Sequence, residues 1–424
     1  MRGVGRGRVL VCWGVGAALV VGAAGAGGSE PQSGEPVGLA FRLSGDQATG
    51  NEGVPGVVYD PAAGEYFVVW QDGRASQYPY PTTADIYGRR VSADGLAVGR
   101  EVWVTGPYRA YTRDLSPSVA YNSTRDNYLV AWYAGWNGSD GIWSRRVSAK
   151  GTRVGDQVRV GDGVGMDPVV AYDPAADGYL VVWWDRPTGI WGRLLTGGGK
   201  VIGEAFSITG AGGIEPAVAY NPAAGEYLVV WTDHRGYDTR GLEVYGRRVS
   251  ATGAAIGDDL RISDSGGLAT DEAEPAVVWN DLAGRYLVVW EDLRSQTEWD
   301  IYGRWVSADG VPVRRDFRVG SLRGTGNEHT PAVTCNSITS RCLVVWQDYR
   351  DTERRSSDIW GRLVAADGTM VGRDFRVSGP GGMDAEFDPA AACNPAADQC
   401  LVVWSDLRRW ETRGADIYGA LLAG

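Results

Sequence analysis

Histidine and lysine are nearly missing from this chain of 424 residues: His234 and His329, Lys150 and Lys200 are the only ones. The histidines are expected on loops with a whole repeat between them, so neither a Ser-His-Asp relay nor a multi-histidine metal centre can be assembled from them. Basic residues are outnumbered overall, 41 against 52 acids, for a formal charge of −11. That balance argues against nucleic acid and anionic membrane surfaces as partners. The preference for arginine over lysine is most simply a genomic codon bias. Phosphate-binding loops and dinucleotide fingerprints are absent as well.

Long apolar runs are missing except at the N-terminus. There Arg2, Arg6 and Arg8 precede "VLVCWGVGAALVV", and "AAGAGG" follows with small-residue cleavage sites near Ala24 or Ala26. This is the pattern of a signal peptide, residues 1–26, followed by a short linker, 27–36. The run is short and broken by glycine, which argues against a membrane anchor. Cys12 leaves with the signal, and Val11 stands where a lipoprotein would want a small residue. Cleavage removes three arginines and no acid, so the mature charge is 38 − 52 = −14. The mature chain is expected to be soluble, monomeric and exported (secreted, periplasmic or held at the cell surface), with no membrane insertion.

What is abundant is glycine (62), tyrosine (20) and tryptophan (18). Glycine without a G-X-Y period, beside short apolar runs, reads as all-β structure with many tight turns. An internal repeat decides the fold. "PGVVYDPAAGEYFVVWQDGR" from Pro55 returns as "PAVAYNPAAGEYLVVWTDHR" (216–235), "PAVVWNDLAGRYLVVWEDLR" (275–294), "PAVTCNSITSRCLVVWQDYR" (331–350) and "PAAACNPAADQCLVVWSDLR" (389–408). Looser copies start at Pro117 and Pro168. Seven tryptophans mark the copies: Trp70, Trp132, Trp183, Trp231, Trp290, Trp346 and Trp404.

Each copy reads as four strands. The first starts after a proline, and an Asx-turn such as "NPAAGE" leads to the second, "YLVVW". The third, "DIYGRRVSADG", ends in a tight hairpin, and the fourth resembles "DFRVSG" (374–379). The second strand is apolar on both faces, as a sheet sandwiched between two others requires. Four-stranded units repeated radially make a seven-bladed β-propeller, residues 37–424. The last copy stops at its third strand, "DIYGALLAG". Its fourth is found at the other end of the chain, where "VGLAFRLSG" (37–45) matches "VGRDFRVSG" (371–379) at six of nine positions. The N-terminal strand therefore closes the ring.

Four cysteines remain. Cys335 and Cys342 replace the aromatic pairs Tyr220/Tyr227 and Trp279/Tyr286 across the first hairpin, and Cys393 and Cys400 do so in the seventh copy. Facing positions on paired strands suit disulfides, which fit an oxidising compartment.

Asp-x-Arg follows the tryptophan in five copies: Asp72/Arg74, Asp233/Arg235, Asp292/Arg294, Asp348/Arg350 and Asp406/Arg408. The same five carry an acid before the aromatic of the third strand: Asp85, Glu243, Asp300, Asp358 and Asp416. Copies two and three lack the combination. Joint loss implies one network joining strands two and three, and five copies of it brace the ring rather than catalyse. These motifs resemble TolB-type propeller repeats, and more closely the tandem "VVWxDxR…DIYGxRVSADG" repeats of exported bacterial proteins. The resemblance implies an exported propeller with an interaction role and implies no particular partner.

Acids precede strand one in every copy: Glu52, Asp114, Asp167, Glu215, Glu274, Glu328 and Asp388. They are expected to ring the channel mouth. Glu215, Glu274 and Glu328 are candidate ligands for calcium, the one cofactor considered; the alternative is that the acids close turns and hydrate the rim. The long first-blade loop carries Tyr78 and Tyr80. The next connection supplies Tyr108, Arg109, Tyr111 and Arg113, and the second blade adds Trp136. Aromatics and arginines in adjacent loops could bind a glycan or a protein partner, or pack on one another. The Ser-x-Asp-x-Gly-x-x-Trp boxes of sialidases are absent. The expectation is an exported, non-catalytic binding or scaffold propeller. The alternatives are a carbohydrate-active hydrolase or lyase using mouth carboxylates, and a structural cell-surface component.

Overall fold

The strand that ends in the marker tryptophan governs the architecture, because it is buried on both faces. In the computed structural model, Phe67–Trp70, Leu228–Trp231, Leu287–Trp290 and Leu401–Trp404 are all fully buried, as are the tryptophans of the remaining copies. A strand with two apolar faces needs a neighbouring sheet on each side, and a ring supplies one to every blade. The structure describes residues 34, 36–45, 50–74, 83–106, 113–135, 140–162, 165–210, 212–266, 269–321, 326–350, 356–379 and 384–424.

Seven four-stranded antiparallel sheets result, each running from an inner strand to an outer one. Six blades are built from consecutive strands. The seventh takes its inner three from Glu386–Asn394, Gln399–Asp406 and Asp416–Ala423, and its outer strand from Phe41–Arg42. Phe41 pairs with Gly419 as Phe375 pairs with Gly361 in blade six, so the closing strand occupies the register its sequence match implies. The core is accordingly seven inter-blade clusters. One joins Tyr66, Val68 and Trp70 of the first blade to Leu401 and Val403 of the last.

The first hairpin is closed as expected. The side-chain oxygen of Asp60, Asn122, Asp173, Asn221, Asn280, Asn336 or Asn394 accepts one or two backbone N–H groups just beyond it. In blades six and seven the aromatic pair of this hairpin is replaced by the Cys335–Cys342 and Cys393–Cys400 disulfides.

The inner strand corrects the sequence reading. It does not start after the proline but three or four residues before it, as in Glu52–Asp60 and Arg113–Asn122. The proline sits inside a β-bulge, where the ladder skips from Gly53 to Gly56 and from Ala273 to Ala276. A bulge is where a strand tolerates a residue without an N–H. The residue before each proline takes a left-handed φ: Val54, Ser116, Asp167, Glu215, Glu274, Thr330 and Asp388 lie between 48° and 53°. That conformation strains non-glycine residues, the β-branched Val54 and Thr330 most. Since all seven blades share it, the strain belongs to the architecture and marks no single blade.

Candidate functional site

The bulge turns one side chain per blade into the central channel. Its mouth, a cavity of about 440 Å³, is lined by Val54, Ser116, Asp167, Glu215, Glu274, Thr330 and Asp388 with the prolines that follow them. Four of the seven are acids, all in the arc formed by blades three, four, five and seven. Their carboxyls are pushed above the ordinary range, by burial first. Glu274 is pushed furthest: burial is joined by the charges of Glu291 and Glu215 and by a hydrogen bond with Glu291. Two acids that share a site cannot both ionise readily.

Neighbouring blades are stitched together here. The N–H of Glu274 donates to Glu215 Oε2 at 3.1 Å and to Thr232 Oγ1 at 3.1 Å, and Thr232 Oγ1 donates to the same Glu215 oxygen at 2.9 Å. The N–H of Thr330 donates to Glu291 Oε1 at 2.5 Å, and that of Ser116 to Gln71 Oε1 at 3.2 Å. Beside this arc lies an aromatic cluster. His329 Nδ1 is 2.8 Å from Glu291 Oε2, and its ring lies 6.1 Å from that of Trp299 and 5.8 Å from Tyr349 in an edge-on contact.

The acids predicted to form one ring form two. Asp167, Glu215, Glu274 and Asp388 occupy the bulge position and line the channel. Glu52, Asp114, Glu272, Glu328 and Glu386 stand two residues earlier and are buried inside the blades. Glu215 and Glu274 are therefore neighbours, as the calcium set required, whereas Glu328 is not with them. Its carboxylate accepts from the backbone of Ile301 at 3.0 Å and Ser321 at 2.8 Å. The bulge causes the split, because an extra residue reverses which side of the strand each acid faces. Among the described residues, no three His, Cys, Asp or Glu side chains converge at metal-ligating distances.

Glu328 and its equivalents belong to the brace inferred from Asp-x-Arg. Asp292 pairs directly across from Asp300, and Asp348 across from Asp358. In blade five, Asp292 accepts from the Trp290 indole at 3.0 Å, from the Arg294 backbone at 2.9 Å and from Arg294 Nε at 2.8 Å. Arg294 reaches on to Asp316 of the outer strand at 2.6 Å and lies 3.8 Å over the Tyr302 ring. Burial pushes Glu272 up to about 8, Glu386 to about 8 and Glu328 to about 7. These acids complete a tight cluster in which the guanidinium is outnumbered.

Tyr78, Tyr80, Tyr108, Arg109, Tyr111 and Trp136 lie outside the described residues. Arg113 is exposed at the start of the inner strand of blade two, where it forms a bridge with Ala84 of blade one. His329, expected on a loop, is in a strand. Glu291 was missed. Its signal was available: the residue after the marker tryptophan is Gln71, Tyr133, Trp184, Thr232, Glu291, Gln347 or Ser405, a variable site in an otherwise constant run.

This geometry is that of a seven-bladed propeller with a polar channel mouth. The chain matches no protein-family model, and comparison with curated proteins gives no match. Solved structures do match in fold. A protein of unknown function from Dyadobacter fermentans aligns with a TM-score of 0.55 at 11% identity, over 92% of this chain and 98% of that one. The α-L-arabinofuranosidase Arb93A from Fusarium graminearum aligns at 0.50 and 11%, over 73% and 93%. The phage phi92 endosialidase aligns at 0.50 and 9%, over 92% and 69%. At these identities the likeness is one of fold.

Proposed function

We propose that this is an exported binding propeller whose channel mouth takes a glycan. One observation carries the reading. An acid-lined mouth of about 440 Å³ adjoins the Trp299–His329–Tyr349 cluster, so hydrogen-bond acceptors for hydroxyls stand beside ring faces for sugar C–H groups. Two disulfides fit an extracellular setting. The loops of blades one and two, with Tyr108, Arg109, Tyr111 and Arg113, offer a second contact surface for the same ligand or for a protein. The test is a polysaccharide binding screen on the mature protein, with calcium and with chelator. Loss of binding in Trp299→Ala/Tyr349→Ala supports the mouth, and loss only in Tyr108→Ala/Tyr111→Ala moves the site to blades one and two. Loss in chelator alone makes the channel acids calcium ligands. The absence of any binding sinks the glycan reading.

A second reading rests on Glu274. Its carboxyl holds a proton well above the usual range, among the carboxylates of Glu215 and Glu291, which is what a general acid needs. Two structural neighbours carry glycosidase names, which keeps hydrolysis in view. Glu274→Gln separates the readings: binding survives it, whereas sugar release from a bound polysaccharide would vanish.

A further inference from the structure

The seven outer strands can be laid over one another by their shared register, and the residue before the one that faces the third-strand glycine (Ser144 in blade two) reads Glu101, Gln157, Ala205, Asp259, Asp316, Asp374 and Ala40 in blades one to seven. Where Asp-x-Arg is present, that position supplies the arginine with a carboxylate from outside. Arg74 Nη1 meets Glu101 at 2.9 Å, Arg235 meets Asp259 at 2.8 Å, Arg294 meets Asp316 at 2.6 Å, and Arg350 Nη1 meets Asp374. Where Asp-x-Arg is absent, in blades two and three, the acid is absent too. Blade seven breaks the rule. It keeps Arg408 and has Ala40 in place of the acid.

The rest of the brace is intact there. Arg408 Nε donates to Asp406 Oδ1 at 2.8 Å and Nη2 to Oδ2 at 2.6 Å, with Glu386 3.6 Å away and the Tyr418 ring 4.0 Å below. Among the described residues these are its only ion pairs, so Nη1, which holds the outer carboxylate in blades one and six, has none. The space such a carboxylate would occupy opens into a cleft of about 580 Å³ between blades six and seven. Arg408 and Arg376 lie in its wall with Pro36, Leu39, Ala40 and Val377. The cleft is on the flank of the ring and does not involve the channel. Leu39 is 84% exposed at its edge.

We propose that this cleft binds a small organic carboxylate, whose carboxylate takes the place of the missing Asp on Arg408 while its apolar body lies against Leu39, Ala40 and Val377. Guanidinium and carboxylate match in plane and charge, and blades one and six, where Nη1 holds the outer carboxylate, show which atom is left over. The proposal is independent of the glycan reading.

The test uses benzoate and its uncharged analogue benzamide on the mature protein, followed by calorimetry. Benzoate saturates one site, and benzamide binds at least about tenfold more weakly. Ala40→Asp rebuilds the blade-six arrangement from within. It abolishes benzoate binding while raising the melting temperature, so the loss cannot be ascribed to unfolding. Arg408→Gln also loses binding, with a lower melting temperature. Three results would each overturn the proposal: no saturable benzoate binding, equal binding of benzamide, or undiminished binding by Ala40→Asp.

Discussion

Five blades carry the buried brace and two do not, and the contrast separates what holds this ring from what it can use. In blade two the Asp position is Ala134, and the Trp132 indole turns to Asp114 at 3.1 Å. In blade three Asp185 is present but caps a short turn, accepting from Thr188 at 2.9 Å, and the Trp183 indole has no hydrogen-bond partner among the described residues. The outer-strand acid goes with them, leaving Gln157 and Ala205. Residues that disappear together from a blade act together in the others. The brace is therefore one structural unit repeated five times, and chemistry should be sought where blades differ singly, as at Glu291 and Ala40.

The largest expected effect tests that unity. Asp348→Ala leaves Arg350 and the Trp346 indole buried without their carboxylate and should cost about 3–5 kcal/mol. Asp114→Ala in blade two removes the acceptor of an indole hydrogen bond and should cost about 1–2 kcal/mol. Denaturant titration of the two variants decides; equal costs would mean that the brace is no more than its separate bonds.

The next comparison is between disulfide and aromatic hairpins. Each bridge closes a loop with a sequence separation of 7. Cys335→Ala/Cys342→Ala should lose about 2–3 kcal/mol by loop entropy. Installing Cys335→Trp/Cys342→Tyr, the pair of blade five, should recover part of it through ring contact. Failure to recover any would mean that the blade-six hairpin does not accommodate the aromatic pair of blade five.

Smaller still is the pH dependence of the braced blades. Glu272, Glu328 and Glu386 have an ordinary value of 4.5 and are pushed to about 8, 7 and 8 by burial. Each binds its proton more tightly folded than unfolded, so its contribution is complete below the unfolded value and is lost as pH rises through the folded one. Stability should fall between pH 5 and pH 9, by on the order of 1–2 kcal/mol per group once relaxation of the buried site is allowed for. Glu272→Gln should flatten the curve on the alkaline side. A profile unchanged by that substitution would show Glu272 to be ionised throughout.

Much of this was legible in the sequence, because a repeat supplies its own controls. The copy number, the closing strand and the disulfides follow from alignment of the chain with itself. The brace followed from joint loss of Asp-x-Arg and the third-strand acid. The split of the acids was not legible. Glu274 directly precedes its proline and Glu328 stands three residues before its own, but residues two apart on a regular strand share a face, and only the bulge sends one inward and the other to the channel. The pairing of Glu291 with His329 across two blades was equally hidden, since it depends on how adjacent sheets lean together. Arg408 could have been found, for the position that would partner it, Ala40, is 368 residues away by number, and the match of 37–45 to 371–379 already showed alanine against aspartate.

The smallest expected effect compares the two ends of the same strands. At the end opposite the channel mouth, Arg90 grips Glu65 at 2.8 and 3.0 Å, and Arg248 grips Glu226 at 2.8 and 2.9 Å. This is a bidentate geometry as good as that of the brace. The difference is water at the acid: Glu65 and Glu226 retain 16% exposure, whereas Asp292 and Asp406 have none, the arginines being similarly exposed in both settings. Solvent screens the charges and hydrates whichever partner is left alone. A double-mutant cycle on Arg90 and Glu65 should therefore return a coupling of no more than about 1 kcal/mol, decreasing with added salt. A coupling as large as that between Asp348 and Arg350 would mean that geometry, and not burial, sets the strength of the brace.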